Sequence, residues 1–320
     1  MDKFLTEQEN KMVRLVEERG VAASPYQPVA KKIIYYCKEM LKTNKFNNMG
    51  TYKTYDFEIP KEITSKINIV KNLYINVRIS DYEDKNVFCY YGGGSVTLKS
   101  IDGFSDGKIN EATIQIYAFA YNGILIDRTL LNTLYHELNH VWDIYNDFKQ
   151  TGYCYRFLKS VEKAKIPNDI FDTPEDNELF HIIIYRLFSE TELNALIASV
   201  YGDLYDFASP LGVNARKNFN TDYKKTAAYY IYELVSNNYK QLFNKIDDKK
   251  ALRIKNFFNT VDINYSPYGN STNAFVNELI RKTKHKLKEL IKGIGRVASL
   301  VYDRLEIYEY HIPPDMLILN

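Results

Sequence analysis

The stretch Asp127–Phe148 constrains the fold more than any other part of the chain. Leu131, Leu134, Leu138, Val141, Tyr145 and Phe148 recur at helical spacing and share one face of a helical wheel. Thr129, Thr133, His136, His140, Asp143 and Asp147 share roughly the opposite face. The pattern predicts one long amphipathic helix, opened by Asp127 as N-cap and anchored through its apolar stripe.

The polar face carries chemistry. Residues four apart on a helix project one turn above another, so the imidazoles of His136 and His140 point the same way. Two imidazoles so placed can bind one Zn²⁺, leaving positions for a third protein ligand and a water. Glu137 sits on the flank of that face, where it can take a proton from water and return it to a leaving amine. The chain has only five histidines, so chance alone seldom produces this spacing. The plain alternative is a surface helix with two solvated histidines.

The run Thr133-Leu134-Tyr135-His136-Glu137-Leu138-Asn139-His140-Val141-Trp142 resembles the extended signature of the zincin metallopeptidases. That signature has Val or Thr three places before the first His, uncharged residues around both, and an apolar residue two places after the second. The resemblance covers this helix directly. It implies a zinc-dependent peptidase, with His136 and His140 as ligands and Glu137 as general base and acid. It also implies that the preceding strand, Ala112–Ala120, is the edge strand that pairs with an extended substrate near Ile114–Phe119.

The metzincin branch continues with Gly and then His or Asp, where this chain has Asp143 and Asn146. The gluzincin branch takes a Glu from a later helix, followed three places on by a small residue. Glu192 with Ala195 fits that pattern, with Glu190, Asp143 and Asp147 as alternatives. Ser189-x-x-Glu192 is also a capping box, so Glu192 could serve only to cap a helix restarted at Ser189. The gap from His140 to Glu192 makes 149–172 an insertion, read as a lid or specificity loop. His181 lies three turns before Glu192, ~16 Å along a helix, and is read as a packed or surface histidine. Related enzymes stabilise the oxyanion with a His or Tyr, and His285, His311, Tyr229, Tyr230 and Tyr232 all qualify.

Around this helix the pattern changes along the chain. Residues 1–45 read as helical, and strands are expected at Leu73–Ile79, Val87–Tyr91, Ser95–Leu98 and Ala112–Ala120. Tyr91-Gly92-Gly93-Gly94-Ser95 reads as a hairpin turn, since it lacks the Lys and the following helix of a phosphate loop. A long helix is expected from Thr173-Pro174, where Thr caps and Pro takes the first turn, toward Gly202. Further helices are expected over 223–245 and 272–302. The expected fold is α+β and zincin-like: a small mixed sheet on the motif helix, then a mainly helical C-terminal lobe. The domain reading is 1–50 as an N-terminal helical segment, 51–150 as sheet plus motif helix, and 151–320 as the helical lobe.

Composition closes off other classes. A net charge of +2 gives no push toward nucleic acid, and Lys282–Lys292 reads as a solvated helix face. Three dispersed cysteines form neither a disulfide framework nor a Cys-rich zinc site. The N-terminus lacks the features of a signal peptide, and no apolar window reaches the ~20 residues that span a bilayer. The expectation is a protein of the cytoplasm or of a virus or phage particle, with Zn²⁺ as cofactor and a peptide or protein as substrate. A non-catalytic assembly component that keeps a zincin fold, and a zinc hydrolase with a non-peptide substrate, are the rival readings.

Overall fold

The computed structural model describes residues 32–33, 35–37, 39, 47–49, 52–65, 69–82, 93–98, 104–121, 124–125, 127–151, 166–208, 223–261 and 271–309. The expected strand Val87–Tyr91, His311 and most of 1–45 and of the 149–172 insertion lie outside these residues.

The first half builds one mixed sheet. Its strands are β1 (Asn47–Met49), β2 (Tyr52–Glu58), β3 (Val70–Tyr82), β4 (Gly93–Leu98), β5 (Phe104–Ser105), β6 (Lys108–Tyr121) and β7 (Ile124–Leu125), with a short helix α1 (Lys61–Thr64) between β2 and β3. The spatial order is β1-β2-β3-β6-β4, and β5 and β7 both pair with β6. β3 and β6 run parallel, with Leu73 opposite Ala112 and Val77 opposite Ile116; the other pairings are antiparallel. Period-two alternation buries one face: Tyr55 and Phe57 on β2, Leu73, Ile75 and Val77 on β3, and Ala112, Ile114, Ile116 and Ala118 on β6. Each large apolar side chain so buried contributes about 1.5–3 kcal/mol.

The topology corrects two expectations. Ala112–Ala120 lies inside β6, which is flanked by β3 and β4 and is not an edge. The edge on this side of the sheet is β4, paired only with β6 among the described residues. Gly93 and Gly94 are not in a hairpin turn; they are strand residues, in register with Tyr117 and Ile116. The physical reason is steric and concerns the helix beneath them, as shown below.

The second half is helical. α2 (Asp127–Thr151) packs against β4 and β6 on one side and α4 on the other; α3 (Pro174–Ile182) is followed by a π-helical turn (Ile183–Phe188) and then by α4 (Glu190–Ala208). Thr173 caps α3, its hydroxyl accepting from Asp176 N–H at 3.2 Å, with Pro174 next in line. The single helix expected from Thr173 to Gly202 is therefore interrupted. Ser189 is extended (φ −77°, ψ 119°) and its hydroxyl accepts from Glu192 N–H at 3.4 Å, so the chain restarts there. α5 (Ala227–Phe243), α6 (Asp248–Thr260) and α7 (Thr272–Glu309) complete the lobe; α6 had no counterpart in the expected elements.

α2 and α4 cross closely because α4 presents small residues to α2. A Cβ on Gly202 would lie 3.1 Å from the backbone N and Cα of Asn132. Asn132 Nδ2 donates to Ser199 O at 3.4 Å across the same crossing. No described helix is long and apolar enough to cross a membrane.

Candidate metal centre

The polar face of α2 is not solvated. Leu134, Leu138, Val141 and Ile144 are buried, but so are Thr133, Glu137, Asn139 and His140, while His136 is 9% exposed. The sheet covers one side of the helix and α4 the other. Polar groups in such a place require partners.

His136 and His140 turn their Nε2 atoms toward each other, 3.1 Å apart. From α4, the carboxylate of the fully buried Glu192 reaches both: Oε1 lies 3.1 Å from His140 Nε2, and Oε2 lies 3.4 Å from His136 Nε2. The capping box at Ser189 is thus only half formed. Its Ser side chain caps the backbone of Glu192, while the Glu192 side chain goes to the imidazoles. In a tetrahedral zinc site with bonds of about 2.0–2.1 Å, neighbouring ligand atoms stand about 3.3 Å apart. The observed 3.1–3.4 Å spacing and the donor chemistry both fit a zinc ion. Glu192 Oε1 makes no hydrogen bond, which is costly for a buried carboxylate oxygen and is relieved by a cation.

Electrostatics run the same way. Burial pushes the His136 imidazole down to about 4, and Glu192 opposes this without reversing it. The ring is therefore neutral at ordinary pH, the form that ligates metal. Burial acts to raise the Glu192 carboxyl, but its contacts with His136 and His140 prevail and hold it well below the usual carboxylate range.

Glu137 lies beside this set; its carboxylate and the two imidazoles offer ligand atoms within 4.8 Å of one another. It is pinned by β4. A Cβ on Gly94 would stand 2.6 Å from Glu137 Cγ and Cδ and would collide with Oε1. Gly94 is the close-approach residue that lets the edge strand lie directly over the carboxylate.

The other sequence candidates are placed elsewhere. Glu190 is exposed, and Asp143 accepts from Asn139 Nδ2 at 3.1 Å on its own helix. Asp147 is buried at 5% exposure, nearly two turns past His140. His181 is exposed and stacks on Tyr185. His285 is largely exposed and pairs with Glu289 at 3.0 Å. Tyr229 packs against Tyr223 and Tyr232, and Tyr230 is 47% exposed.

None of the family models, curated proteins or solved structures compared with this chain matches it. The functional reading therefore stands on the geometry.

Two residues escaped the sequence reading. Arg186 Nη1 donates to Glu192 Oε2 at 2.6 Å and lies 3.4 Å from His136 Nε2. Its signal was slight: it is the lone charge in the apolar run Ile182–Phe188. Gly94 was visible as part of a glycine triplet, but the triplet read as a turn.

Proposed function

We propose that this protein is a zinc-dependent metallopeptidase with a zincin-like, gluzincin-type site. His136, His140 and Glu192 hold the metal. The observation that carries the reading is the convergence of two imidazole nitrogens and one buried carboxylate, from two separate helices, at tetrahedral ligand spacing. Zinc when bound supplies Lewis-acid polarisation and makes water acidic enough to ionise near neutral pH. Glu137 takes the proton from the attacking water and later hands it to the leaving amine. The outer backbone edge of β4 offers hydrogen-bonding groups to an extended peptide, directly above Glu137. The sheet on one side and α4 on the other brace α2, so that both imidazoles keep their orientation.

The test is metal content by mass spectrometry together with hydrolysis of fluorescent casein. About one zinc per chain is expected in the wild type. Glu137→Gln should keep the zinc and lose hydrolysis. A natively folded wild type without zinc, or a Glu137→Gln variant that hydrolyses casein at the wild-type rate, would sink the reading.

A further inference from the structure

We propose that Arg186 and the cation held by His136, His140 and Glu192 together form a site for a tetrahedral oxyanion. Arg186 is its charged arm, meeting the oxygen that develops on the substrate carbonyl. The inference rests on the metallopeptidase reading above and adds to it the residue that stabilises the transition state.

Three observations carry it. The guanidinium adjoins the ligand set: Nη1 is 2.6 Å from Glu192 Oε2 and 3.4 Å from His136 Nε2. It is held in place, with the fully buried Glu192 on one side and the Tyr185 ring 4.9 Å away on another. It is also underused. Arginine has five N–H donors, yet Nε and Nη2 have no partner among the described residues. The side chain keeps 25% exposure and lines a cleft of about 490 Å³ with Asn177, Glu178, His181, Ile182, Tyr185 and Ile231, a lining that includes none of His136, Glu137, His140 and Glu192. A guanidinium that spends one N–H on Glu192 and borders a cleft has donors left for a ligand.

Charge explains the arrangement. A guanidinium and a divalent cation would stand against the single carboxylate of Glu192, so charge at the ligand set itself is positive, with Glu137 beside it and Glu178 on the cleft wall acting against it. An anion entering there is attracted, and a negative charge forming there is stabilised. In the reaction, the water oxygen bonds to the carbonyl carbon and the carbonyl π pair moves onto its oxygen, while Glu137 takes the water proton. Collapse returns that pair, breaks the C–N bond and moves the proton from Glu137 to the amine. Arg186 donates to the oxygen while it is negative. The position on a π-helical turn fits a side chain set for a task, because such turns cluster at functional sites.

The test uses the full chain loaded with Co²⁺ and inorganic phosphate as the tetrahedral oxyanion, followed by the visible spectrum of the cobalt. Phosphate should perturb the wild-type spectrum. Arg186→Gln should weaken phosphate about 10- to 100-fold, the worth of a charge-assisted hydrogen bond, and Arg186→Lys should fall between. Cobalt stoichiometry and the spectrum without phosphate should stay as in the wild type. Equal phosphate affinity in wild type and Arg186→Gln overturns the inference alone. Loss of cobalt from both variants also overturns it, because Arg186 would then merely support Glu192. A wild type that takes up no cobalt overturns the metal reading itself and this inference with it.

Discussion

Gly94 of β4 and Glu137 of α2 meet so closely that no side chain fits between them; an added Cβ would stand 2.6 Å from Glu137 Cγ and Cδ. The β4 edge of the sheet and the Glu137 carboxylate are thereby one unit. Under the proposed function, a peptide paired along β4 would pass over Glu137.

Gly94→Ala should displace the Glu137 carboxylate while leaving the imidazoles and Glu192 in place. Casein hydrolysis should fall about 100-fold, the scale of a ~1 Å misplacement, with zinc content unchanged. Full activity in this variant would mean that β4 does not position Glu137.

Glu192 and Glu190 are two residues apart, but only the first is buried against the imidazoles. Glu192→Gln should weaken zinc by roughly 100-fold or more, since losing even an outer-shell partner costs 10- to 100-fold. Glu190→Gln should leave affinity unchanged. Competition with a chelator of known affinity measures both, and a reversed order would move the third ligand to Glu190.

The α2–α4 crossing depends on Gly202. Gly202→Val pushes two methyl groups toward the Asn132 backbone, which cannot yield as a flexible side chain can. Overpacking of this kind costs about 1–3 kcal/mol. The melting temperature should drop by roughly 2–10 °C, and a thermal melt matching the wild type would show that the helices separate freely.

Lys282 lies over the Phe188 ring at 5.0 Å, and burial, with Lys286 adding to it, lowers its ammonium to about 8. Below pH 8 the folded and unfolded chains are both protonated there, and the folded state bears the full cost. Between pH 8 and about 10.5 the unfolded chain holds the proton and the folded one does not, so this penalty fades as pH rises. Lys282→Met should therefore melt higher than the wild type at pH 7, and the gap should narrow by pH 10. Melts with the same gap at both values would contradict the assignment.

The motif helix was legible because all its information is local. The spacing of His136 and His140 fixes their relative direction once the helix forms, and the apolar stripe ensures that it forms. Glu192 was legible only as one of several carboxylates. Ser189 marked a helix start equally well whether Glu192 capped it or turned away, and the choice depends on what lies across from it. Arg186 carried no spacing signal, because its partners are the Glu192 carboxylate beyond a helix break and an imidazole on another helix.

The sheet divides in the same way. Alternation marked the strands β3, β4 and β6, but it cannot order them. The edge role expected for Ala112–Ala120 was what the zincin resemblance implied, and it fails because β6 lies between β3, in parallel pairing, and β4. The glycine triplet looked like a turn because glycine serves both turns and close approaches; only the carboxylate beneath Gly94 distinguishes them. What the sequence determined by itself is what short-range geometry encodes: helix faces, caps, strand periodicity, and the placing of His136, Glu137 and His140 together on one helix. Which strand is the edge, which carboxylate meets the imidazoles and which cation stands beside them were decided only by the tertiary structure, because each depends on contacts between segments whose pairing is set by burial of the whole core.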